Sequence, residues 1–174
     1  MNRFIMILVF NCVFWSAENY SFDCLSFNFH RDMPKIKSIL KKEWSKLFLS
    51  PYYDENLIHK MFFKKHPGDT SVTHTTATID VLYQDDHLVG FVTYYVKASK
   101  VGHLELLCVD SAHRKKGYGT FLIEYVINEV KKQGCTTLQL YVYTSNPNAI
   151  TYYKHLGFGI KANFGSYILM YKQI

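Results

Sequence analysis

The sequence predicts an α/β domain built on a mixed sheet. An apolar run, Leu104 to Val109, enters a glycine-bearing turn, then a run with helical apolar spacing, then a second strand-like run, Thr136 to Tyr143. Strand, helix, strand in that order implies a parallel pair. Two alternating, β-branched runs, Thr75 to Tyr83 and Leu88 to Val96, flank the polar turn Gln84-Asp85-Asp86-His87 and imply an antiparallel hairpin. At 174 residues, 48% apolar and 17% aromatic, the chain can bury a core and fits one domain.

Residues 1–20 stand apart. Arg3 precedes the apolar run Phe4 to Trp15, and Ser16-Ala17-Glu18 turns polar. A cationic start, a short apolar run and a small residue read as a secretory signal peptide or N-terminal hydrophobic extension; a buried strand or an early start codon are the alternatives. The run is short for a bilayer span but offers transient membrane contact. Residues 21–174 then hold the domain.

Within it, Leu25 to Phe29 reads as the first strand. Asp32 can cap a helix with Pro34 in its first turn, and Ile36, Ile39, Leu40, Trp44 and Leu47 form its apolar stripe. Ser50-Pro51 breaks it. Asp54 can cap a second helix carrying Leu57, Ile58, Met61 and Phe62, which His66-Pro67-Gly68-Asp69 ends. After the hairpin come a strand at Gly102 to Val109 and a helix marked by Phe121, Leu122, Tyr125, Val126 and Val130, with Gly134 at its C-terminal cap. A short helix, Asn146 to His155, follows the Thr136 strand, and Tyr167 to Tyr171 reads as a last strand.

The stretch with chemical content is Val109 to Thr120. A helix start carries free backbone N–H groups and the positive end of a dipole, so it suits a phosphate. Gly117 and Gly119 allow close approach, and Arg114, Lys115 and Lys116 add cations. Leu122 stands where a dinucleotide fingerprint needs a third glycine, and no Gly-Lys-Ser/Thr makes this a P-loop. Arg114-x-x-Gly117-x-Gly119 resembles the Arg/Gln-x-x-Gly-x-Gly/Ala signature of the GNAT superfamily of N-acetyltransferases. Asn146-Pro-Asn-Ala149-Ile150-Thr-Tyr-Tyr153-Lys-His-Leu156-Gly157-Phe158 resembles its second signature. The likeness runs from about Leu25 to the C-terminus and is sharp from Gly102 to Phe158.

The resemblance implies the mixed central sheet of the GNAT fold, β-α-α-β-β-β-α-β-α-β-β, with a splayed parallel strand pair. It implies acetyl-CoA as cosubstrate and transfer of acetyl to a primary amine by direct attack. Arg114, Lys115, Lys116, Gly117, Tyr118, Gly119 and Thr120 would hold the pyrophosphate and Asn146 the pantetheine arm. A strand bulge near Leu107 to Val109, with Val109 first, would turn a backbone N–H to the thioester oxygen. Tyr153 would protonate the leaving thiolate; with 14 Tyr and 13 Phe in the chain, a plain core aromatic is the competing reading. An attacking amine must be neutral, so a base helps. His103 and Glu105 share a strand face and could take that proton through water, or Glu105 could bind a cationic acceptor; an exposed polar pair at an edge is the alternative. Tyr141 stands where some relatives carry a carboxylate.

Ligand-like His or Cys spacing is lacking, so no metal is expected. Cys108 reads as a small buried hydrophobe. The net charge of +6 suits anionic ligands. A basic nucleic-acid-binding domain is the weaker alternative, and nucleic acid is not expected as a partner; a GNAT-like module that binds acyl-CoA without turnover is the stronger one. Gly102-His-Leu-Glu105 is similar to small-amine acetyltransferases of polyamines and amino sugars, and a peptide or protein amine also fits. A homodimer is compatible with this reading. The first 20 residues point to export, whereas acetyl-CoA use points to a cytosolic site of action.

Overall fold

The computed structural model describes residues 22–48, 50–63 and 77–174. In order they form β1 (Phe22–Ser26), α1 (Phe29–Leu47), α2 (Glu55–Phe63), β2 (Thr78–Gln84), β3 (His87–Val96) and β4 (Val101–Val109). Then come α3 (Tyr118–Lys132), β5 (Thr137–Tyr143), α4 (Pro147–His155), β6 (Gly159–Asn163) and β7 (Tyr167–Gln173). The signal-like segment 1–20, the stop at His66 to Asp69 and the start of the strand expected from Thr75 lie outside the described residues.

The strands make one seven-stranded sheet in the order β1-β2-β3-β4-β5-β7-β6. Of its pairs only β4–β5 is parallel. The predicted mixed α/β sheet is therefore present. Leu122, Val126 and Val130 of α3 pack on one face against Leu104, Leu138, Leu140 and Met170. Ile36, Leu40 and Trp44 of α1, with Ile58 and Phe62 of α2, cover the other against Val81, Phe91, Leu106 and Cys108.

Three local expectations are corrected. The first strand is Phe22–Ser26 rather than Leu25 to Phe29, because the chain turns into α1 earlier than expected. Asn28, not Asp32, caps α1: its Oδ1 accepts from Arg31 N at 3.0 Å. Asp32 is fully buried one turn on and accepts from Asn28 N at 2.7 Å and from the Tyr83 hydroxyl at 2.7 Å. The Asn28 side chain thus satisfies Arg31 N while Asp32 satisfies Asn28 N, and Pro34 falls beyond the first turn. The second closing strand expected of the fold, β6, is an exposed edge without apolar alternation, so no pattern marks it in the sequence.

The third correction positions the site. Thr93 pairs with Leu106 and Tyr94 with Leu104, so Glu105 is the extra residue of a bulge. The bulge lies at Glu105, upstream of the expected Leu107 to Val109. It reverses the strand's alternation. Leu104 packs with the α3 core, whereas Leu106 and Cys108, at even spacing from it, pack with the α1 core. Leu107 and Val109 consequently face α3.

One buried polar group is strained electrostatically. Asp80 on β2 is 3% exposed and accepts from the Tyr94 hydroxyl at 2.9 Å. Burial raises its carboxyl above the ordinary value, and Glu129 adds to this, while hydrogen bonds from Tyr94 and Tyr125 oppose it. A raised folded-state value favours the folded chain when the group is protonated. That stability is complete below the usual carboxylate range and is lost as pH rises through the raised value. Asp80→Asn keeps an acceptor for Tyr94 and removes the charge. Its melting temperature, followed by thermal denaturation from about pH 4 upward, should fall less with pH than that of the parent chain; parallel profiles would contradict this.

Candidate active site

The β4–β5 pairing spans only Val101–Leu104 against Thr137–Leu140, although β4 runs on to Val109 and β5 to Tyr143. Beyond the Glu105 bulge the two strands part, and α4 follows on from the end of β5. A cleft of about 770 Å³ opens there. Its lining includes Leu107 and Val109 of β4, Arg114, Lys115, Gly117, Tyr118, Gly119 and Thr120 of the turn and α3, Asn146, Tyr152 and Tyr153 of α4, and Leu47 and Phe48 at the end of α1. Nine of the ten residues expected to hold the cosubstrate line this cleft; Lys116 does not and is exposed.

The turn is shaped by its backbone. Lys115 and Gly117 have positive φ, 62° and 83°, and Gly117 caps α3 without a side chain. Left-handed residues two apart concentrate N–H groups on one side, a concavity suited to an anion. The first N–H groups of α3 add the helix dipole.

Strand parity settles which β4 amides face the gap. Asp110 N bonds Val89 O at 2.9 Å, so Asp110 and, two residues back, Cys108 direct their backbone groups to β3. Leu107 and Val109 then direct theirs the other way. Arg114 Nε reaches Val109 O at 3.1 Å on that side.

A second cleft of about 490 Å³ shares Leu107, Asn146 and Tyr153 with the first. It adds Glu105, Tyr141 and Tyr167. Glu105 therefore reaches a cleft, as its bulge position allows. His103 lines neither cleft and is 2% exposed, which excludes the exposed-pair reading. Its Nε2 lies 3.5 Å from Glu105 Oε2, and its Nδ1 lies 3.3 Å from Gln139 Nε2. The His103 ring thus bridges the Gln139 amide and the Glu105 carboxylate. Tyr141, half-exposed, lies between the tilted His103 ring at 5.4 Å and the edge-on Tyr167 ring at 5.4 Å.

On α4, Asn146 does the work of a cap: Oδ1 accepts from Ala149 N at 3.1 Å. Its Nδ2 donates to Lys46 O of α1 at 3.2 Å. Burial raises the Tyr153 phenol well above its ordinary value, so it carries its proton at neutral pH. Burial likewise pushes the Cys108 thiol up to about 12, consistent with an inert packing role. No cluster of metal-ligating side chains occurs among the described residues.

The sequence reading did not single out Phe48 or Tyr167 as walls of the site. Tyr152 has a clear reason to matter: a Cβ on Gly119 would lie 2.8 Å from its hydroxyl. Gly119 is thus required by a packed phenol as well as by any ligand. Gly119→Ala should destabilise the fold by about 1–3 kcal/mol despite alanine's better helix propensity. Adding Tyr152→Phe should return most of that loss in a denaturant titration. A single variant as stable as the parent would refute the contact.

Residues 33–158 match the acetyltransferase (GNAT) family model. The ribosomal protein bS18-alanine N-acetyltransferase of Escherichia coli is 42% identical over 52 residues, 30% of this chain and 35% of that protein. The N-alpha-acetyltransferase 30 of Xenopus laevis is 34% identical over 62 residues, 36% of this chain and 23% of that one. The alignments thus span about a third or less of these relatives. The PaiA N-acetyltransferase of Thermoplasma acidophilum, solved in complex with coenzyme A, superposes with a TM-score of 0.71 at 20% identity, over 88% of this chain and 99% of that one. With the family model covering most of its length, this chain belongs to the GNAT acetyltransferase family.

Proposed function

We propose that this chain transfers an acetyl group from acetyl-CoA to a primary amine by direct attack, and that the amine is the amino terminus of a polypeptide. The observation that carries the reading is the meeting of two chemically different clefts at Leu107 and Tyr153. The first holds the anion-binding turn and suits a phosphate-bearing donor. The second carries a carboxylate among aromatic rings and suits an amine with an apolar body.

In this mechanism the pyrophosphate sits on the Lys115–Thr120 amides and the pantetheine arm lies in the gap between β4 and β5. The thioester oxygen takes a hydrogen bond from the N–H of Val109 or Leu107 as it gains negative charge. Glu105, backed by His103, accepts the ammonium proton directly or through water. The neutral nitrogen attacks the acetyl carbon, the C–N bond forms and the C–S bond breaks. Tyr153 gives its proton to the departing thiolate and recovers one from the amine side through solvent.

Two observations favour a polypeptide terminus over a small polyamine or amino sugar. Among the described residues, Glu105 is the one carboxylate lining the second cleft, and a polycation would be matched by several. Tyr141, Phe164 and Tyr167 form a partly exposed aromatic rim, with ring centroids 5.2–6.4 Å apart. Contiguous exposed aromatics are typical of surfaces that dock protein. The names of the E. coli and Xenopus relatives point the same way.

Release of free CoA should be measured against peptides with free and with blocked amino termini, polyamines and aminoglycosides. Free-terminus peptides should turn over and blocked ones should not. Faster turnover of a polyamine than of every peptide would contradict the acceptor assignment. With the best acceptor, Tyr153→Phe should lower kcat by about a hundredfold or more while acetyl-CoA affinity holds; an unchanged kcat would assign the proton elsewhere.

A further inference from the structure

Glu43 breaks the pattern of its own helix. The apolar stripe of α1 runs through Ile36, Ile39, Leu40, Trp44 and Leu47, and position 43 falls within it. A carboxylate there is costly unless it is paired. Glu43 is 1% exposed and lines neither cleft. Its Oε2 accepts from Arg114 Nη2 and from Lys46 Nζ, the latter at 3.2 Å. Burial opposes its ionisation, but the nearby Ser111 side chain and the Lys46 and Arg114 cations outweigh this and hold its carboxyl below the usual range.

Two of the three guanidinium nitrogens of Arg114 are thereby engaged. Its Nε donates to Val109 O at 3.1 Å while Nη2 grips Glu43. One planar guanidinium ties the last residue of β4 to the C-terminal part of α1. A second tie runs beside it, Lys42 Nζ to Asp110 Oδ2 at 3.1 Å. Between them the chain from Val109 to Arg114 is fixed before the turn begins.

We propose that Glu43 is a positioning residue for acetyl-CoA: it holds the Arg114 fork against the Val109 carbonyl, which fixes the Lys115–Gly119 turn in its anion-binding shape. Arg114 then acts as a brace, and the pyrophosphate is bound by the turn's backbone amides and by Lys115. The inference rests on the acetyl-CoA reading above, and it separates from it because a braced turn is measurable without ligand.

The test uses three variants of the full chain. Arg114→Lys keeps the charge but loses the fork that spans two acceptors. It should raise the KM and Kd for acetyl-CoA by about tenfold, with kcat at saturation within about threefold of the parent. Arg114→Gln should weaken binding clearly more than Arg114→Lys, because it also strands a buried carboxylate. Adding Glu43→Gln to Arg114→Gln removes that charge and should bring affinity back to about the level of Arg114→Lys, since the fork is still missing. If Arg114 contacted the pyrophosphate directly, the double variant would stay as weak as Arg114→Gln, and that result overturns the proposal. Parent-like affinity in Arg114→Lys would also overturn it. Hydrogen exchange of the amides of residues 115–119 without ligand decides the matter independently of acetyl-CoA binding: exchange should quicken in Arg114→Lys, and unchanged protection would count against the brace.

Discussion

The structure depends on where β4 and β5 stop pairing. Four residue pairs hold them together, and the Glu105 bulge ends the ladder. A parallel pair that continued to Val109 and Tyr143 would close the gap and leave β4 no outward amides. The bulge has three effects at once. It parts the strands, turns the Leu107 and Val109 backbone toward the opening, and re-aims Glu105 into the second cleft. In the proposed reaction, donor site, transfer point and acceptor site would share this one irregularity.

Electrostatics then divides the opening. The turn carries Lys115 and Lys116 with the N-terminal end of α3, so its side attracts anions. The other side offers Glu105 and aromatic faces, which suit an ammonium on an apolar chain. Helix α1 borders both. Its charged residues Lys42 and Glu43 brace the chain that leads into the turn, the carbonyl of Lys46 holds Asn146, and Leu47 and Phe48 line both clefts. A helix that resembles plain core cover is thus the frame to which the β4–α3 and β5–α4 junctions are fastened.

Much of this was legible in the residues. The strand, turn and helix around Gly117, the hairpin, the Asn146 cap and the Asp54 cap follow from local rules and stand where the sequence put them. What failed was non-local. Asp32 has the chemistry of a helix cap, but Asn28 starts the helix first, and Asp32 serves it in return while meeting Tyr83 from β2. The bulge depends on the register of β3 against β4, which no single strand reveals. Glu43 was legible in principle as a carboxylate in an apolar stripe, but its partner lies 71 residues away. Lys116 looked equivalent to Lys115, yet only Lys115 takes the left-handed conformation and lines the cleft.

The proposed reaction requires the Gly117 turn to receive the donor's pyrophosphate. Gly117 caps α3 with φ of 83° and has no heavy atom within 4 Å of where a Cβ would stand. Aspartate there costs about 1–2 kcal/mol of backbone strain and leaves the packing untouched. Calorimetric titration of acetyl-CoA into the parent chain and into Gly117→Asp, both checked for cooperative melting, is the most direct measurement. The account predicts clear binding by the parent and its loss by about two orders of magnitude or more in the variant, where a carboxylate meets the pyrophosphate. Equal affinity in a folded Gly117→Asp would contradict it.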